Sequence, residues 1–138
     1  MQVKNVMSTE FTVVSPDTTF EQAARLMRDG DFGYLPVGEN DRLQGAVTDR
    51  DLVIRGLAEG HDLDTPVSRA LSEDIIYCYD DDDIDSAAAL MEGNQIRRLV
   101  VLNRDKRMVG VLSLGDIARI CKDDRLTGRI EVGVVQMA

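Results

Sequence analysis

The sequence repeats itself, and that repeat limits the fold more than any other feature of the chain. A shift of 64 residues lays Phe20-Glu21-Gln22-Ala23-Ala24-Arg25-Leu26-Met27 on Ile84-Asp85-Ser86-Ala87-Ala88-Ala89-Leu90-Met91. Ala23, Ala24, Leu26 and Met27 recur unchanged, and the same shift places Ser8 on Ser72, Leu35 on Leu99 and Val37 on Val101. A one-residue insertion near Arg107 then moves the offset to 65, which aligns Gly45 with Gly110, Thr48 with Ser113 and Asp51 with Asp116. Repeats of this length are copies of one supersecondary unit that cannot bury its apolar face alone. Two copies are too few for a solenoid, so they are expected to pack face to face around a shared core.

Each copy carries the same local pattern. An amphipathic turn, Val3 to Met7 and again Val67 to Leu71, leads into a β-rich stretch, Phe11 to Val14 and again Ile75 to Tyr79. After a turn (Pro16-Asp17; Asp80 to Asp83) come apolar residues at helical spacing: Phe20, Ala23, Ala24, Met27, then Ile84, Ala87, Ala88, Met91. Leu26-Met27 and Leu90-Met91 read as core residues of these helices. Thr18 with Glu21 has capping-box spacing, and Gly30 and Asn94 are the expected left-handed C-caps. Two strands follow, Tyr34 to Val37 and Leu43 to Val47, then Leu99 to Leu102 and Met108 to Leu112, each pair joined by a polar turn. A last helix is expected from Asp51 toward Leu57 and from Asp116 toward Lys122. The order is β-α-β-β-α, twice, which predicts an α/β fold with small sheets covered by helices. The boundaries are 1–62 for the first repeat and 63–122 for the second. A 123–138 tail, with alternating Ile130, Val132 and Val134, reads as an edge strand or a docking arm.

Charge and composition exclude several function classes. The formal net charge of -9 opposes duplex nucleic acid, which rewards basic stripes. No apolar run reaches membrane-spanning length, and Met1 to Met7 lack the apolar core of a secretory signal, so cytoplasm is the expected compartment. Cys78 and Cys121 form neither a disulfide framework nor a zinc-ligand spacing. They read as buried thiols, with a bridge between them, and a redox role for it, left open. The Asp80 to Asp83 run favours the positive end of the following helix over a metal. His61 stands alone in a polar linker without a nucleophile near it. With no P-loop, nucleophile elbow or HExxH pattern, no enzyme is expected.

The segment Gly45-Ala46-Val47-Thr48-Asp49-Arg50-Asp51 resembles the G-h-h-[ST]-x-x-D signature (h, apolar) of the cystathionine-β-synthase-type, or CBS, domain family. Gly110-Val111-Leu112-Ser113-Leu114-Gly115-Asp116 matches it again. Tyr34-Leu35-Pro36-Val37 and Arg97-Arg98-Leu99-Val100-Val101 are similar to the family's [HR]-R-L-P-V strand. Val100 stands in place of the proline, a difference expected to matter little. The resemblance covers Val3 to Lys122 and implies a pseudo-twofold pair of CBS repeats, a Bateman module. Adenosine ligands (AMP, ADP, ATP, sometimes S-adenosylmethionine) would sit in clefts between the repeats.

That resemblance implies site residues. Asp51 and Asp116 would take ribose hydroxyls, Thr48 and Ser113 would lie near phosphate, and Arg97 and Arg98 would reach phosphate in the second repeat. Gly33 and Tyr34 occupy the matching places in the first repeat, where Arg50 would have to compensate. The chemistry of the residues agrees. A carboxylate accepts from two vicinal hydroxyls at once, N–H groups at a helix start favour an anion, and guanidinium forks suit phosphate. Thr48-x-x-Asp51 and Ser113-x-x-Asp116 are equally plain capping boxes, and the two roles are compatible. The resulting expectation is a non-catalytic sensor that binds an adenine nucleotide, requires no cofactor and forms a homodimer through its helical faces. It would act on an unknown protein partner, with no nucleic acid or membrane involved. The alternative is a dimerising scaffold with vestigial clefts.

Overall fold

The computed structural model describes residues 1–121. The expected end of the last helix at Lys122 and the 123–138 tail lie outside the described residues. The chain divides into two packing units, one of residues 12–75 and one of residues 1–11 with residue 76 onward.

In the 12–75 unit, α1 (Phe20–Gly30) is followed by β1 (Tyr34–Glu39), β2 (Arg42–Thr48) and α2 (Asp49–Asp51), which continues as a π-helical turn over Leu52–Leu57. β1 and β2 form an antiparallel pair with a bulge after Val37. Their two-residue loop, Asn40-Asp41, has φ of 54° and 64°, the left-handed geometry of the hairpin turns that match strand twist. In the other unit, β3 (Tyr77–Tyr79) leads to α3 (Ile84–Asn94), β4 (Arg98–Leu102), β5 (Met108–Ser113) and α4 (Leu114–Cys121). Their sheet order is β3-β4-β5, parallel then antiparallel.

Each repeat's head serves the other repeat's unit. The three-ten turn Val3–Asn5, at the start of the first repeat, packs on the second: Val3 N–H donates to Asp82 O and Lys4 N–H to Asp80 O. The equivalent turn Val67–Ala70 packs on the first, where Val67 N–H donates to Thr18 O and Ser68 N–H to Pro16 O. The repeat boundary at residue 62 marks the period of the sequence; packing divides the chain elsewhere. Among the described residues, each unit has its own apolar cluster. One is built on Phe20, Met27, Leu35, Val47 and Val67, the other on Val3, Met91, Leu99, Leu112 and Ile117.

Several expected details differ, each for a physical reason. The first β-rich stretch shrinks to one bridge, Val14 with Val37. In the second unit the ladder is extended by Asp80 N–H donating to Leu102 O. The matching residue in the first is Pro16, and Pro36 replaces Val100; neither proline has an N–H to donate. The missing N–H of Pro16 is one reason the first copy keeps a single bridge where the second has a three-residue strand. α1 is capped by Thr19 and Gln22, not Thr18 and Glu21, with reciprocal bonds of 3.1 and 3.0 Å. Thr18 N–H is already committed to Ser15 O and its carbonyl to Val67. The left-handed C-caps fall one residue late in both copies, on Asp31 (φ 55°) and Gln95 (φ 53°). Gly30 instead leaves room for Phe32, whose ring takes the space a Cβ there would need. Leu26 is exposed, as is Ala24, because α1 buries only the Phe20, Ala23 and Met27 stripe. The last helices begin two residues early, at Asp49 and Leu114, which makes Asp51 and Asp116 third-position capping residues.

Candidate functional site

β2 delivers Thr48 to the start of α2, and β5 delivers Ser113 to the start of α4. At both corners the hydroxyl and the acid three residues on close a reciprocal box. Asp51 N–H donates to Thr48 Oγ1 (3.1 Å) and Thr48 N–H to Asp51 Oδ2 (3.0 Å). Ser113 and Asp116 repeat the pattern at 3.0 Å in both directions. The capping role read from the sequence is therefore present at both corners.

Each acid has a second partner that the sequence reading missed. Asp116 Oδ1 accepts from Arg119 at 2.7 Å, and Asp51 Oδ1 lies 3.9 Å from Arg55 Nε. Spacings of i+3 and i+4 from an acid on a helix were the available signal. Asp116 is 8% exposed; both arginines extend into solvent.

The strand before each hairpin completes the corner. Register sets Tyr34 opposite Thr48 and Arg98 opposite Ser113. The residues just before these, Gly33 and Arg97, accept the first helical N–H groups through their carbonyls: Asp49 N–H at 3.0 Å and Leu114 N–H at 2.9 Å. Arg97, Arg98, Ser113 and Asp116 thus gather at one corner, and Thr48, Arg50 and Asp51 at the other. Arg50 is exposed, and its N–H donates to Asp49 Oδ1 at 2.8 Å. A Cβ on Gly33 would lie 2.6 Å from Asp49 Oδ2, so the Asp49 carboxylate fills the space a side chain there would need. Burial pushes the Tyr34 phenol up to about 12, which keeps it neutral.

The signature glycines serve packing. A Cβ on Gly45 would stand 2.6 Å from Ser72 O, and one on Gly110 would stand 2.8 Å from Ser8 O. These carbonyls belong to the exchanged heads, which pair with the strand beside each glycine through Ala46 and Val111.

The other motifs singled out from sequence have structural surroundings. Arg104 binds Asp81 through both carboxylate oxygens and lies 4.0 Å from the centre of the Tyr79 ring, tying down the acidic turn. The His61 ring meets Phe20 edge to face at 5.9 Å. Both border a cavity of about 400 Å³ between α1 and the π-helical turn, also lined by Ala24, Leu52, Leu57 and Leu63. None of the seven candidate residues lines it. Cys78 is buried, and burial, with a smaller push from Asp82, raises its thiol to about 12. Among the described residues, no three His, Cys, Asp or Glu side chains are grouped to hold a metal, and no helix is long and apolar enough to cross a membrane.

The CBS domain family model matches residues 3–56 and 67–123. The chain is 39% identical over 116 residues to the CBS domain-containing protein YhcV of Bacillus subtilis, covering 84% of this chain and 82% of that one. It is 41% identical over 118 residues to Hypoxic response protein 1 of Mycobacterium tuberculosis, again covering 84% and 82%. Hypoxic Response Protein I, crystallised with two coordinated zinc ions, matches the structure with a TM-score of 0.77 at 37% identity over 87% of this chain and 98% of that one. CBSX2 in complex with AMP matches with a TM-score of 0.76 at 26% identity over 90% and 98%.

Proposed function

From the premise that this chain belongs to the CBS domain family as a tandem pair, we propose that it is a non-catalytic regulatory module. It binds an adenine nucleotide, with AMP, ADP and ATP as the candidates. The observation that carries this reading is the corner where the Ser113–Asp116 box stands beside the Arg97-Arg98 strand end. A nearly buried carboxylate stands there beside a helix start and a basic strand end, in a chain of net charge -9. Ribose hydroxyls suit the first feature and phosphate the others. CBSX2, a relative of the same fold, is seen with AMP, which adds support from outside the chain. Cytoplasm is the compartment that fits a nucleotide sensor.

The module acts as a homodimer in this reading. Val53, Ile54, Leu57 and Leu63 are half or more exposed, and with Leu26 they lie on or beside α1 and the π-helical turn of one unit. Exposed apolar residues gathered in this way mark association surfaces. Nucleotide binding would then act by its differential affinity for two arrangements of the dimer or for a protein partner.

A thermal-shift series on metabolite-stripped protein tests the reading, with AMP, ADP, ATP, NAD and S-adenosylmethionine. A sensor melts higher as one ligand is raised above its Kd. No shift with any of them favours the dimerising scaffold.

A further inference from the structure

The two corners share one scaffold and differ in the residues that flank the hydroxyl–acid box. We infer that they select different ligands: the Ser113–Asp116 corner takes a phosphorylated adenosine ligand, and the Thr48–Asp51 corner takes an adenosine ligand without phosphate. This inference rests on the nucleotide reading above and adds the ligand class for each corner.

The deciding residue is Asp49. Its N–H is tied to Gly33 O, and its carboxylate turns back to accept the next helical N–H, that of Arg50, at 2.8 Å. An internal anion thus already holds an N–H that an incoming phosphate oxygen would use. At the other corner the matching residue is Leu114, whose N–H is tied to Arg97 O in the same way. A leucine has no acceptor to offer, so the N–H of Gly115 meets no competing carboxylate from its neighbour.

Charge follows the same division. Among the described residues, the second corner sets Arg97 and Arg119 beside one acid, Asp116. The first sets Arg50 and Arg55 against two acids, Asp49 and Asp51, and so offers no net attraction to an anion. Its strand contributes Gly33 and Tyr34. Gly33 leaves space for the Asp49 carboxylate, and Tyr34, opposite Thr48, brings a neutral ring with one hydroxyl. An aromatic face and two carboxylates suit an uncharged nucleoside with its hydroxyls.

Calorimetry with AMP and adenosine on single-corner variants tests this. Asp51→Ala leaves the second corner, which should bind AMP at least about tenfold tighter than adenosine, the scale of a charge-assisted hydrogen bond. Asp116→Ala leaves the first corner, which should bind adenosine as tightly as AMP or tighter. Adding Asp49→Leu to that variant should shift its preference toward AMP. Asp51→Asn and Asp116→Asn, which keep an oxygen for the cap, replace the alanine variants if either fails to fold. If the unmodified chain binds both ligands but the two corners show one AMP-to-adenosine preference, this inference is overturned and the nucleotide reading stands. If the unmodified chain binds neither, both fall.

Discussion

Asp116 meets Arg119 at 2.7 Å through Oδ1, while its Oδ2 accepts the Ser113 N–H at 3.0 Å. Both oxygens of a carboxylate that is 8% exposed are therefore engaged. The Arg119 side chain is 70% exposed, so the ion pair itself contributes little and yields readily to a ligand. The cap contributes more, because without it the Ser113 N–H loses its partner.

Asp116→Ala and Asp116→Asn should therefore separate the acid's two roles. The alanine variant loses the cap, at a cost of about 1–2 kcal/mol. That is a drop of several degrees in Tm, together with loss of nucleotide binding at the Ser113–Asp116 corner. The asparagine variant keeps an oxygen for the Ser113 N–H and should melt close to the unmodified chain. It should still bind nucleotide poorly, since a carboxamide oxygen replaces a carboxylate at the ribose. Thermal melts with calorimetry distinguish the two, and an asparagine variant with full affinity would remove Asp116 from the site.

Gly45→Ala and Gly110→Ala should each destabilise the protein by about 1–3 kcal/mol, the usual cost of overpacking. The new methyl group would meet a backbone carbonyl, Ser72 O or Ser8 O, that is fixed by a pair of hydrogen bonds to the neighbouring strand. Gly93→Ala is the control. Gly93 lies inside α3 with nothing within 4 Å of the added carbon. That variant should gain about 0.5–1 kcal/mol from reduced backbone freedom. Equal losses at all three positions would sink the packing account of the signature glycine.

These glycines show what the sequence could and could not disclose. Their recurrence at a fixed offset made the repeat visible, and helical and strand periodicity placed α1, α3 and both hairpins. The reason for the glycines was hidden, because it lies in the exchanged heads. Val3 and Val67 hold equivalent places in near-identical surroundings, so no local signal tells which copy each turn will join. Part of the loss of a strand in the first repeat was legible in principle, since Pro16 lacks the N–H that Asp80 gives to the ladder. The capping boxes at Thr48 and Ser113 were read directly from [ST]-x-x-D. Their arginine partners needed one further step of helix geometry, from Asp51 to Arg55 and from Asp116 to Arg119. Asp49 was passed over because its role depends on Gly33, which is distant in sequence and brought close by the hairpin.

The apolar face of the 12–75 unit gives a test of association. The Ile54 and Leu57 side chains are 50% and 61% exposed, so replacing both with Asp removes little from the core. The double variant should keep its far-ultraviolet spectrum and melting cooperativity. Sedimentation should then show a dimer for the unmodified chain and a monomer for the variant. A monomer in both cases would refute the homodimer.

Cys78 and Tyr34 set how the fold responds to alkali. The thiol is 2% exposed and raised from 9.0 to about 12 by burial and then by Asp82; the Tyr34 phenol is raised from 10.0 to about 12 by burial alone. Between these ordinary values and pH 12 the unfolded chain has released protons that the folded chain still holds. Stability must then fall as pH rises. The contribution is complete below about pH 9 and is lost by about pH 12. Tm measured from pH 8 to 11 should decline, steepening above pH 9 as the thiol is forced to ionise. Tyr34→Phe should flatten the part above pH 10, and Cys78→Ala, though less stable at every pH, should flatten the part that begins at 9. The same burial makes Cys78 a poor nucleophile. In a Cys121→Ser background, iodoacetamide at pH 8 should label it only when denaturant opens the fold. Rapid labelling of the native protein would revive a redox role for this thiol.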